Sequence, residues 1–99
     1  KFRAENAGFY QISGSVHVAI VAGNTVTLQV YNLTTSTVLA QTQISNPDAS
    51  TQQFVTLNIN TIGQLAASND VVLRVLGSSA NSGSIVSSNN DKFEVNLIR

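Results

Sequence analysis

Catalysis by side chains needs several ionisable or nucleophilic groups brought together, and this chain carries few. His17 is the only histidine, the residue type that ordinarily titrates near neutral pH and so the first candidate general base. It lies between Ser15 and Ala19 on the polar side of an alternating stretch, with no partner at a telling spacing. No Gly-x-Ser-x-Gly elbow occurs to present a serine nucleophile. An ordinary strand histidine is therefore expected. The acids Glu5, Asp48, Asp70, Asp91 and Glu94 are the only carboxylates available for a glycosidase dyad or a calcium cage, and both need convergence. Their spacing gives none. Asp48, Asp70 and Asp91 each sit among turn residues, where an aspartate carboxylate accepts nearby backbone N–H groups. Calcium at the loop tips is the weaker alternative.

The remaining chemical motifs point the same way. With no cysteine there is neither a disulfide framework nor a thiolate metal site, and the redox compartment cannot be deduced. Gly8, Gly14 and Gly23 belong to no phosphate-cradling pattern. Asn32-Leu33-Thr34 forms a glycosylation sequon, a triplet that arises by chance in a chain rich in Asn and Thr. These residues predict no enzyme and no catalytic, metal or cofactor site.

Composition says what kind of surface must hold such a chain in water. Ninety-nine residues make one core. Charged residues are 10% where about 25% is typical, and the formal net charge is +0. Uncharged polar residues take their place: 11 Asn, 12 Ser, 9 Thr and 7 Gln. Low net charge and recurrent Val, Ile and Thr separate it from disordered chains, which are highly charged and poor in β-branched residues. The five basic residues are scattered, which argues against nucleic acid as a partner. No apolar run approaches the roughly 18 residues of a membrane-inserted helix. The opening Lys1-Phe2-Arg3 reads like the interior of a domain, so the chain is expected to be the C-terminal part of a longer one.

The elements that would position these residues follow from period-two alternation. Phe9–Val21 places Tyr10, Ile12, Gly14, Val16, Val18 and Ile20 inward and ends at an Ala22-Gly23-Asn24 turn. Thr25–Leu33 turns Val26, Leu28 and Val30 inward and Tyr31 outward. A polar stretch at 34–37 leads to Val38–Ile44, with Val38, Ala40, Thr42 and Ile44 on one side and Gln41 and Gln43 on the other. Pro47 then stops the ladder. Phe54–Asn60 buries Val55, Leu57 and Ile59, while Thr61–Ala67 is less periodic. After Ser68-Asn69-Asp70, Val71–Leu76 buries Val71, Leu73 and Val75. A small polar loop at 77–83, a short edge strand at 84–87 and a turn at Asn89-Asn90-Asp91 precede Lys92–Arg99, which points Phe93, Val95 and Leu97 inward. Seven or so strands separated by turn signals predict an all-β fold, an antiparallel β-sandwich or jelly roll. Its core is expected to rest on Tyr10, Ile12, Val16, Val18, Leu28, Val30, Leu73, Val75, Phe93 and Val95.

Three stretches carry a family resemblance. Phe2-x-Ala4-x-x-Ala7-Gly8-x-Tyr10-x-Ile12-Ser13-Gly14 resembles the approach to the first long strand of tumour-necrosis-factor-like jelly rolls, which include the globular heads of complement proteins. Leu65-Ala66-Ala67-Ser68-Asn69-Asp70 before Val71-x-Leu73-x-Val75 is similar to that family's turn ahead of its penultimate core strand, and Phe93-x-x-x-Leu97-Ile98 resembles its closing strand. Asn69-Asp70 stands where the family commonly has Gly-Asp, and the family's first strand has no counterpart at the amino end. The resemblance implies a single jelly-roll domain over residues 1–99 that forms a homotrimer by burying one sheet between subunits. Phe9, Val21, Tyr31 and Leu33, apolar yet outward-facing, are the expected oligomer interface.

Two functions fit this reading. One is a non-enzymatic structural protein, a trimeric head on a virion such as a phage capsid decoration protein or fibre tip; the low-charge, amide-rich composition favours it by analogy. The other is an extracellular, bacterial or spore-surface binding module, an adhesin or ligand whose loops 22–24, 45–53 and 77–83 meet a receptor protein or a glycan. The expected location is accordingly the virion, the extracellular space or the cell surface. A chain without Trp, whose long loops lack aromatics apart from Phe54 at one edge, offers little for stacking sugars.

Overall fold

The computed structural model describes residues 1–48, 50–77, 83–85 and 92–98, the segment 83–85 by backbone alone. All of its regular structure is β: β1 (Phe2–Arg3), β2 (Gly8–Ile20), β3 (Thr25–Asn32), β4 (Thr37–Ser45), β5 (Gln53–Leu65), β6 (Asp70–Gly77), β7 (Gly83–Ile85) and β8 (Lys92–Ile98). Every pairing is antiparallel. Most of the expected 77–83 loop, the second half of the 84–87 strand and the Asn89-Asn90-Asp91 turn lie outside the described residues.

The strands form two sheets. The first runs β1-β6-β3-β4; in the second, β2 pairs with β5 on one side and with both β8 and β7 on the other. The split is along the length of β2, whose residues Phe9–Ser15 face β8 and Val18–Ile20 face β7. A thirteen-residue β2 is long enough to carry two partners end to end.

Alternation does what the sequence predicts along β2. Tyr10, Ile12, Val16, Val18 and Ile20 are buried, and so are Val26, Leu28 and Val30 of β3. These meet Leu57, Ile59, Leu65 and Val71, with Leu73, Val75, Phe93 and Val95 packed against the cluster. Gly14 lies among these inward positions because Leu73 fills the space: a Cβ there would stand 2.8 Å from both of its methyl carbons. Removal of this apolar surface from water is the main force holding the sheets together. Ala4 and Leu65 join the core from positions the alternation did not single out.

Two expectations are corrected. β5 does not end at Asn60 but runs to Leu65, because β2 pairs with it without interruption from Gly8↔Leu65 to Ile20↔Gln53. In β4 the register shifts opposite Val30/Tyr31, so Val38 pairs with Tyr31 on the outer surface and is 41% exposed, while Leu39 packs on the core. A bulge of this kind inserts one residue and reverses the sidedness of what lies beyond it.

Polar side chains close the ends of the sandwich. Asn32 Oδ1 accepts the N–H groups of Thr34 and Thr35, and its Nδ2 donates to Asn69 Oδ1, which also takes the Ala66 N–H. At the other end Asn46 Nδ2 donates to the carbonyls of Ile20 and Thr51, and Asn46 Oδ1 accepts the Asp48 N–H. Tyr10 donates its hydroxyl to the Asn6 carbonyl and meets Phe2 edge-on, with ring centroids 5.6 Å apart.

Candidate functional site

The groups that could do chemistry are dispersed. His17 lies on the outer face of the second sheet, its Nδ1 2.9 Å from Thr56 Oγ1 on the neighbouring strand. Asp48 folds its carboxylate into its own loop, accepting the N–H groups of Ser50 and Thr51, and the Ser50 bond is the main reason its carboxyl titrates below the ordinary value. Asp70 takes a two-point contact from Arg3, Nε to Oδ1 at 2.9 Å and Nη2 to Oδ2 at 3.0 Å, with Lys1 3.7 Å away. The Arg3 hydrogen bonds hold the Asp70 carboxyl low and push the guanidinium up. Glu94 lies on β8, and Asp91 is outside the described residues. Among the described residues no three of His, Cys, Asp or Glu gather as metal ligands do.

The sequon is closed by the fold. Asn32 is 3% exposed and both ends of its amide are bonded within the β3–β4 and β5–β6 turns. A sugar on its Nδ2 would have to be attached to a side chain that is buried and directed at Asn69.

The four residues expected at an interface fall in different places. Tyr31 and Leu33 adjoin on the outer side of the first sheet. Phe9 lies on the outer face of the second, and Val21 just beyond its far end, roughly 40 Å along the strand at 3.3 Å per residue. Tyr31 is covered: the Arg74 guanidinium lies 3.6 Å over its ring and donates from Nε to Gln29 Oε1 at 2.7 Å.

The two outer faces differ in kind. On the first sheet the polar side chains answer one another across the strands: Thr25 with Ser45 at 2.8 Å, Gln29 Nε2 to Gln41 Oε1 at 2.8 Å, then Gln29 to Arg74 and Arg74 to Tyr31. That face satisfies its polar groups on itself, and its apolar side chains Leu33, Val38 and Leu76 are 46%, 41% and 40% exposed. The second sheet turns out the three most exposed large apolar side chains among the described residues, Ile62 at 64%, Phe54 at 63% and Phe9 at 54%. Phe9 pairs directly with Ile98 and with Gln64, which makes Ile62 its diagonal neighbour. Phe9, Ile62 and Ile98 thus form one patch at one end of the sheet, and Phe54, opposite Ala19, lies at the other end with Val21 as its diagonal neighbour.

Between them lies a shallow depression of about 590 Å³. Ser13 and Ser15 floor it, Asn58 and Asn60 flank it from β5, and Lys92 and Glu94 from β8. Unlike the ladder of the first sheet, these six side chains make no hydrogen bond to any described residue.

Sequence reasoning named Phe9 but not Ile62 or Ile98. Ile62 faces out only because β5 continues past Asn60 in register with β2, a pairing across the sheet that local pattern does not carry. No protein-family model matches the chain, and no curated protein matches it in sequence.

Proposed function

We propose that this domain is a non-enzymatic structural unit that assembles around a three-fold axis through the outer face of the β8-β2-β5 sheet, as a jelly-roll head on a virion or another exposed surface. The observation that carries it is the degree of exposure: the first face bonds its polar groups to one another and keeps Leu33, Val38 and Leu76 less than half exposed, while the second groups Ile98 with Phe9 and Ile62, which are 54% and 64% exposed. Burying a large apolar side chain fully contributes about 1.5–3 kcal/mol, so three that are already half covered contribute on the order of 2–4 kcal/mol per copy.

The strand order supports the jelly-roll reading. Successive strands step between the sheets, β1 in the first, β2 in the second, β3 and β4 in the first, β5 in the second, β6 back and β8 across again. Copy number rests on the sequence resemblance, and the virion setting on that and on the low-charge, amide-rich composition. Of the residues expected at the interface this reading keeps Phe9 and adds Ile62 and Ile98.

The depression between Ser13 and Glu94 favours a second reading, a binding module that takes a polar ligand or receptor on the same sheet. Light scattering on the purified domain over a dilution series separates the two. A mass three times that of the chain, or a multiple of that mass, at every concentration supports assembly; a monomer throughout overturns it and leaves the binding module.

A further inference from the structure

A β-sandwich must protect the strands at its sheet edges, since their outward N–H and C=O groups invite any extended chain to pair. Three of the four edges here carry a recognised protection. β1 is two residues long. β4 is kinked by a bulge. The remaining edge of the second sheet is divided between β7 and β8 and bears Lys92 and Glu94. β5 has none of these. It runs thirteen residues without a charge, a proline or a break in register, and among the described residues it pairs only with β2. From Asn6 to Asn69 the chain's only acidic or basic residue other than His17 is Asp48, so no charged side chain of β5 itself repels a second strand.

The sequence of β5 is complementary to itself when run antiparallel. With Ile59 opposite its own counterpart the full strand overlaps and inward and outward residues keep their sides. Asn58 then faces Asn60, Thr56 faces Ile62, and Phe54 faces Gln64 of the second copy. In this register Phe54 becomes the diagonal neighbour of the other copy's Ile62, a spacing of about 7–8 Å that an aromatic ring spans. Phe54, far along the strand from the Phe9, Ile62 and Ile98 patch of its own chain, thereby joins that patch of its neighbour.

We infer that the free edge of β5 is a strand-pairing site for β5 of a second copy, centred on Ile59, and that the apolar patch is complete only when Phe54 of that copy has been added to it. The second sheet then continues from β8-β2-β5 of one molecule into β5-β2-β8 of the next. The inference rests on the assembly reading only in that it supplies a residue to that face; the pairing is two-fold, so where both contacts form, three-fold rings join in pairs and the mass is that of six chains.

Because the chain has no cysteine, introduced thiols report on this contact alone. Thr56→Cys and Ile62→Cys are made as separate proteins and oxidised singly and as an equimolar mixture. Directly opposed residues lie about 4.5–5.5 Å apart at Cα, within disulfide range. Position 56 stands six residues, roughly 20 Å, from its own copy across the pair. Covalent dimer is expected in the mixture, at least tenfold above either protein alone. Phe54→Cys mixed with Gln64→Cys repeats the test at exposed positions should the first pair fold poorly. Absence of dimer in both mixtures, or equal dimer in the single-protein reactions, overturns the inference. A trimeric mass with no cross-link removes the edge contact and leaves the face; a cross-link with no trimer does the reverse.

Discussion

Replacing Asn46 with alanine should be among the most damaging single changes outside the apolar core. The side chain is 1% exposed and makes three hydrogen bonds, at 3.0 Å to the Ile20 carbonyl, 2.8 Å to the Thr51 carbonyl and 3.1 Å from the Asp48 N–H. Its backbone adds two more, taking the Gly23 N–H and donating to the Asn24 carbonyl. One residue thus joins the end of β2, the β2–β3 turn and the β4–β5 loop. Each side-chain bond contributes about 1 kcal/mol net, and a partner left buried without water costs more. Asn46→Ala should therefore cost about 3–4 kcal/mol, a large share of the roughly 5–15 kcal/mol expected for a domain this size. In thermal unfolding followed by circular dichroism that is a loss of about 12–25 °C in Tm. Asn46→Asp should do no better, because a carboxylate cannot donate to the two carbonyls. A drop below about 3 °C for Asn46→Ala would show that these loops do not depend on the amide.

Gly14→Ala should destabilise by about 1–3 kcal/mol through crowding against the Leu73 methyls; combined with Leu73→Ala it should cost less than the sum of the two changes, as a double-mutant cycle in urea would reveal. Asp70 titrates below its ordinary 3.8 when folded because of Arg3. A depressed folded value means the Arg3 contact contributes stability above pH 3.8 that is lost as the pH falls through the folded value. Urea midpoints should therefore decline below about pH 4, and less steeply in Asp70→Asn, where an equal decline would assign the effect elsewhere.

The strands were legible where burial is one-sided and local. β2, β3 and β8 alternate apolar and polar residues because one face of each meets the core, whereas β6 shows it only at Arg74, with Val72 and Leu76 also turned outward. β5 beyond Asn60 was not, because Thr61 and Gly63 occupy inward positions and Ile62 an outward one, the reverse of the usual pattern, and only thirteen residues of pairing with β2 hold them there. Val38 was misplaced for a related reason, since the bulge that turns it outward arises from β4 pairing with β3. The assembly face was legible in part. Phe9 stood out as an apolar residue on a polar side, but its grouping with Ile62 and Ile98 depends on two cross-strand registers. Tyr31 carried the same local signal as Phe9, and what distinguishes it is Arg74, a residue 43 positions later that covers its ring.

The assembly face is tested most directly by the solution mass of the double variant Phe9→Asp/Ile62→Asp beside Tyr31→Asp, each checked for folding by circular dichroism. All three positions lie on outer faces, and an aspartate at 31 has Arg74 at hand. The account predicts that the double variant folds but loses the three-fold contact, and that Tyr31→Asp keeps the mass of the unaltered assembly. A double variant that keeps that mass, or a Tyr31→Asp protein that loses it, would contradict the assignment of the β8-β2-β5 face as the surface on which this domain assembles.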